Sequence, residues 1–159
     1  MADVNMKAAK VVYNTITEML DADGWKYKQH EDDLVISCGV RGEDLPIDFL
    51  MVVRPKQELV QFVSQLPFKV PEDKRVEMAI AICVANMGLV NGCFEMDVHD
   101  GTVSFKLSTS YCDSLIGKGA LKYMVLVGAS TVDEYNDKFF MLCKNVTTLE
   151  QFVEQESAD

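Results

Sequence analysis

The sequence predicts an α+β fold in which an antiparallel sheet, a four-strand meander plus a hairpin, is covered by helices. Three observations predict it. The stretch Gly92 to Leu107 alternates apolar and polar residues on both sides of Asp100-Gly101, a pair suited to a two-residue type I′ turn because both positions need φ > 0. Between residues 25 and 66, short runs of alternating character are separated by turn residues, as in a meander. Apolar stripes at helical spacing precede, interrupt and follow these strands.

In chain order, the first helix runs from Val4 to Leu20, with Val4, Ala8, Val11, Val12, Ile16 and Met19 on one face and Gly24 as its left-handed cap. A strand from Trp25 to Gln29 follows. Glu31-Asp32-Asp33 turns into a second, in which Leu34, Ile36, Cys38 and Val40 alternate with Val35, Ser37 and Gly39. The third, Pro46 to Arg54, sets Ile47, Phe49, Met51 and Val53 on one side. Its other side carries Leu50 and Val52, which predicts a strand that is central or covered on both faces. The fourth runs from Leu59 to Leu66, and Pro67 and Pro71 bracket the exit from the sheet. Pro71, Glu72 and Asp73 suit the first turn of a second helix. Its buried stripe is read as Val76, Ala79, Ile80, Cys83, Val84 and Met87, and it ends at Asn86-Met87-Gly88.

In the hairpin, a two-residue turn sets Val98 opposite Val103, Met96 opposite Phe105 and Phe94 opposite Leu107 on the buried face. Glu95 then faces Lys106, and Asp97 faces Ser104, on the other. After Tyr111, Asp113 or Ser114 is the expected cap of a long helix with Leu121, Met124, Val125, Gly128, Val132, Tyr135, Phe139 and Leu142 on its buried face. Gly128 marks a bend or a close approach. Thr148 with Gln151, or Thr147 with Glu150, starts a short last helix through a capping box. Residues 1–159 read as one domain, with a disordered acidic tail over about 154–159.

Composition narrows the function classes. A net charge of −10 argues against nucleic acid and anionic membrane surfaces as partners. The longest apolar run, Met78 to Ala85, is too short to span a bilayer. No export signal is visible, so a soluble cytoplasmic protein is expected. The five cysteines, Cys38, Cys83, Cys93, Cys112 and Cys143, are odd in number and scattered. They read as reduced thiols, mostly buried.

Candidate chemistry is sparse. Cys38 is expected on the strand beside His30, which sets a thiol–imidazole pair against a buried, inert thiol and a solvated histidine. Asp97, His99 and Asp100 are metal-ligand types, but strand alternation sends Asp97 and His99 outward and the turn itself accounts for Asp100. Gly117-Lys118-Gly119 lacks the glycine and Ser/Thr of a phosphate loop. Six methionines, Met19, Met51, Met78, Met87, Met96 and Met124, fall on stripes assigned to the core. No catalytic, cofactor or metal residue is therefore assigned. Surplus apolar residues, Leu50 and Val52 on the sheet and Met124 and Val127 on the long helix, are expected at a protein interface.

Several of these segments form a family pattern: Gly24-Trp25-x-Tyr27, a helix ending near Ala85-Asn86, Asn91-Gly92-x-Phe94-x-x-Asp97-x-x-Asp100-Gly101-x-Val103-x-Phe105, and Asp133-x-Tyr135 in the long helix. The chain resembles the YbjN-like family, labelled as regulators of bacterial sensory transduction, over nearly its whole length. It departs from the family at Gly117 and Gly119, where a polar helix start is more usual. The resemblance implies a fold like that of type III secretion chaperones, which are small, acidic, commonly homodimeric proteins that hold partner polypeptides. It carries over no active site. The expected function is a non-catalytic protein-binding or regulatory module with a protein partner and a homodimeric state. A chaperone for a secreted or partly unfolded client is the alternative, and a thiol-dependent enzyme is the distant one.

Overall fold

The structure, a computed structural model, describes residues 5–158. Its elements are α1 (Met6–Ala22), β1 (Tyr27–His30), β2 (Val35–Arg41), β3 (Pro46–Arg54), β4 (Leu59–Lys69), α2 (Arg75–Gly88), β5 (Cys93–Met96), β6 (Thr102–Ser110), α3 (Lys118–Cys143) and α4 (Leu149–Ser157). The six strands form one antiparallel sheet in the order β1-β2-β3-β4-β6-β5. The meander and the hairpin are thus joined through β4 and β6. Strand residues of one face, including Ile36, Phe49, Met51, Phe62 and Phe105, are buried beneath the helices, and the opposite face is open.

Local chemistry explains the boundaries. Asn5 caps α1 by accepting a hydrogen bond from the Ala8 N–H at 3.0 Å. At the other end Trp25 N–H reaches Leu20 O at 2.9 Å and Gly24 N–H reaches Asp21 O at 3.1 Å, a Schellman closure with Gly24 at φ +72°. The buried face of α1 is Ala9, Val12, Tyr13, Ile16, Met19 and Leu20, whereas Val11, expected inside, is exposed. Val4 lies outside the described residues. β4 continues three residues past its expected end, through Pro67, and its ladder with β6 is irregular between Gln65 and Lys69, which accommodates a proline with no N–H to donate.

The hairpin keeps its expected faces but not its register. Phe94 stands opposite Phe105, Glu95 opposite Ser104 and Met96 opposite Val103, a shift of two residues from the alternation-based pairing. An even shift preserves which side chains face the core, so Phe94, Val103, Phe105 and Leu107 are buried all the same. Val98, expected opposite Val103, is instead at the exposed tip. The cause is a longer loop. Gly101 N–H donates to Asp97 O at 2.7 Å, Asp97 N–H donates to Thr102 O at 2.8 Å, and Gly101 alone of the loop takes a left-handed φ of +78°. Asp100 accepts from the Thr102 N–H and hydroxyl, both at 2.9 Å, and pairs with Lys69. Glu95 and Lys106 still form an ion pair, now as diagonal neighbours.

The long helix starts later than expected. Asp113, one of its two expected caps, has φ +50°, and Ser114, the other, closes a turn onto Tyr111 O at 3.2 Å. Gly117, with extended backbone, takes the N-cap position. The buried face is the expected one, from Leu121 through Leu142. Gly128 marks a close approach: a Cβ there would lie 2.6 Å from the Phe62 ring. That ring belongs to an aromatic row crossing the core, Trp25–Phe49–Phe62–Phe105–Phe94–Phe139–Phe152, with successive centroids 4.8–6.3 Å apart. Thr148 and Gln151 form the capping box of α4. The helix includes Glu154–Ser157, which corrects the expectation of a disordered tail there. Phe152 is buried, and Glu156 accepts from the Tyr135 hydroxyl at 2.6 Å and from Lys138 Nζ at 2.7 Å. Asp159 lies outside the described residues.

Candidate functional site

Helix α2 has no charged residue between Glu77 and its end at Gly88. A helix so apolar on all sides has more hydrophobic surface than one contact consumes. It packs on β5, α3 and α4 through Met78, Ala81, Ile82 and Ala85. The stripe expected inside, Val76, Ala79, Ile80, Cys83, Val84 and Met87, is the other side of the helix. Val76 is 77% exposed and Met87 84%, Ile80 and Cys83 are exposed, and Val84 is partly covered.

The exposed stripe continues onto the hairpin tip. Arg75 Nη1 donates to Val98 O at 3.1 Å and to His99 O at 3.0 Å, holding the tip against the start of α2. Val98, 59% exposed, thereby extends a groove lined by Val76, Ala79, Ile80, Cys83 and Val84. Near the other end of the helix, Val90 is fully exposed. Asn86 fixes the junction with β5: its side chain accepts from the Phe94 N–H at 2.8 Å and donates to Phe94 O at 3.0 Å. This pairing satisfies both backbone groups of Phe94 on the free edge of β5. A contiguous aliphatic surface of this kind suits protein association.

The residues expected at an interface do not form one surface. Leu50, 40% exposed, and partly buried Val52 lie on the open face of the sheet. Met124, 2% exposed, is inside the chain's own core, and Val127 packs partly against that core from α3. Of the two readings of the apolar second face of β3, a central strand or one covered on both sides, the strand is central, paired with β2 and β4, and its second face is open. Sequence periodicity missed the α2 surface because it assigned that stripe to the core.

The thiols divide into two sets. Cys38 and Cys143 are buried, while Cys83, Cys93 and Cys112 are exposed, against the expectation that most are inside. The Cys38 thiol donates to Lys26 O at 3.2 Å, and burial pushes its pKa up. His30 is hydrogen-bonded to Ser37 at 3.1 Å. Glu58 raises the pKa of Cys112 through a hydrogen bond and its charge. A raised pKa leaves less thiolate, the nucleophilic form. Asp97 accepts from the His99 N–H at 2.8 Å and Asp100 is engaged by Thr102 and Lys69. Among the described residues no group of three or more His, Cys, Asp or Glu side chains is placed to hold a metal. Among the described residues no helix is long and apolar enough to cross a membrane.

Comparison with known proteins fits this arrangement. The family model for YbjN, described as "Putative bacterial sensory transduction regulator", matches residues 13–141. The chain belongs to the YbjN family. No curated protein matches the sequence. Among solved structures, YbjN from E. coli, described as "a putative transcription regulator", superposes with a TM-score of 0.59 at 11% identity, covering 79% of this chain and 92% of that one. A chain of the HopA1–SchA chaperone–effector complex also superposes with a TM-score of 0.59, at 10% identity, covering 84% and 98%. At such identities the likeness is one of fold, and the fold is the type III secretion chaperone-like α+β architecture expected from the sequence.

Proposed function

We propose that this YbjN-family chain is a non-catalytic protein-binding module of regulatory type that acts as a cytoplasmic homodimer, residues 1–159 forming a single domain. The observation that carries the reading is the outward face of α2, aliphatic from Val76 to Met87 and extended by Val98. A second copy fits it because the stripe is self-complementary: a two-fold axis near its centre sets Val76 against Met87 and Ile80 against the Cys83–Val84 turn, with no charge introduced. Five free thiols suit a reducing compartment. A chaperone for a partly unfolded client is the second reading, favoured by the likeness to a chain of a chaperone–effector complex.

Light scattering at micromolar concentration tests the assembly. The wild type is expected at about twice the 17.8 kDa of the chain. Ile80→Asp, at an exposed position, is expected to give the single-chain mass with unchanged circular dichroism, because it places a carboxylate in an apolar contact. A wild-type mass of one chain refutes the dimer. Capture of the same proteins from bacterial lysate by wild type and by the Ile80→Asp variant would remove α2 from the reading.

A further inference from the structure

The open face of the sheet carries a pattern that strand register makes explicit. Lys28 stands opposite Ser37, Ser37 opposite Leu50, Leu50 opposite Val63, and Val63 opposite Lys106. These residues form one row across β1, β2, β3, β4 and β6, with Leu50 and Val63 as its apolar middle and a lysine on either side, and Cys93 of β5 continues it past Lys106. Val35 and Val52, opposite each other one row along on the same face, widen the apolar centre. A groove follows the row from Lys26 and Lys28 through Ser37, Leu50 and Val63, with Asp48 on its wall, and ends at Gln65 and Ser104 short of Lys106.

The charge of this face opposes that of the chain. Lys28, Arg41, Arg54 and Lys106 lie on it against the carboxylates of Asp48 and Glu95, and Glu95 is paired with Lys106. Lys26 and Lys28 have no ion-pair partner among the described residues. In a chain of net charge −10, an apolar strip ending in lysines is a local reversal of sign. It complements a ligand that is apolar in the middle and acidic at its ends.

The ligand's conformation follows from hydrogen bonding. Backbone groups in the middle of the sheet are used in its own ladders, so a polypeptide lying on this face receives none of them and must satisfy its own, as a helix does. We infer that the open face binds an amphipathic helix of a partner polypeptide, laid across the strands, with carboxylates near both ends of its apolar stripe. Four strand spacings of roughly 4.8 Å separate Lys28 from Lys106, about 19 Å. That distance corresponds to about 13 residues of helix. The inference rests on the reading of the chain as a protein-binding module and names a second surface, distinct from α2, together with the chemistry of its partner.

The probe is a fluorescein-labelled amphipathic peptide of about 18 residues, long enough to span the row, with leucines on one face and glutamates near both ends. Its counterpart carries lysines at the glutamate positions. Fluorescence anisotropy is expected to show at least about tenfold tighter binding of the acidic peptide. Lys28→Glu with Lys106→Glu should reverse the preference, and Leu50→Asp should remove binding with unchanged circular dichroism. The double lysine reversal, which leaves the apolar strip intact although it replaces the Lys106–Glu95 ion pair by two like charges, decides the matter if Leu50→Asp fails to fold. Absence of binding by wild type, equal affinity for the two peptides, or a preference unmoved by the double reversal overturns the inference. So does loss of binding with Ile80→Asp alone, which assigns the peptide to α2. A change in mass with Leu50→Asp in the absence of peptide also overturns it, assigning the face to a second copy. In each of these cases a partner captured through α2 leaves the protein-binding reading intact.

Discussion

Gly101→Ala should cost far more than its single added methyl group suggests. Gly101 has φ +78° and is buried beneath the hairpin tip. An ideal Cβ there would lie 2.1 Å from Val70 O and 3.0 Å from Val70 N. These are backbone atoms, so no side-chain rotation relieves the overlap. Left-handed backbone costs an L-residue about 1–2 kcal/mol. Separating Val70 from the turn also stretches the Val70 N–H···O=C Gly101 bond of 2.8 Å, a loss of about 1 kcal/mol. The expected total is about 3 kcal/mol, the sum of these conformational and hydrogen-bond costs. Gly24→Ala is the control: Gly24 has φ +72°, but nothing lies within 4 Å of its Cβ position, so only the conformational cost of about 1–2 kcal/mol remains. Urea denaturation measures both. With a slope near 2 kcal/mol/M, Gly101→Ala should lower the midpoint by about 1.5 M and Gly24→Ala by about half that. Equal midpoints for the two variants would refute the close-approach argument.

Three other outcomes are expected. Gly128→Ala should destabilise by about 1–3 kcal/mol through overlap with the Phe62 ring, whereas Gly119→Ala, with open space at its Cβ in the first turn of α3, should stabilise by about 0.4–1 kcal/mol; thermal denaturation of both variants checks the pair. In native protein at pH 8, maleimide should modify exposed Cys93 and Cys112 and spare buried Cys38 and Cys143, and Glu58→Gln should speed the reaction at Cys112 by removing the group that raises its pKa. The Lys69 ammonium and the Thr102 hydrogen bonds hold the Asp100 carboxyl well below the usual carboxylate range. A depressed folded-state pKa contributes stability that is complete above the unfolded value near 3.9 and lost as pH falls below it. Asp100→Asn should therefore flatten the acid limb of the stability–pH profile below about pH 4, measured by urea midpoints.

Local chemistry made much of the fold legible. Period-two alternation placed β3 and both hairpin strands, because a strand half-buried against helices must alternate. The buried face of α3 was equally legible from the helical spacing of Leu121, Val125, Val132, Tyr135, Phe139 and Leu142. Gly24 and Thr148 marked a helix end and a helix start through their own backbone and side-chain chemistry. The hairpin register was less legible: Asp100-Gly101 suits a two-residue turn, but contacts from Arg75 and Val70 favour a longer loop with only Gly101 left-handed.

The amino-acid order therefore determined the type and sequence of elements, the acidic balance and the family, because propensity, periodicity and charge are properties of short segments or of composition. Tertiary packing decided which of the two apolar sides of α2 is buried, since either satisfies the same helical periodicity. It also decided that Leu50 and Val52 face an open surface while Met124 lies in the core. The apolar strip flanked by lysines exists only through strand pairing: Lys28 and Lys106 are distant in the chain, and the register of four ladders aligns them across the sheet. Binding surfaces arise from such long-range juxtaposition, which no local pattern encodes.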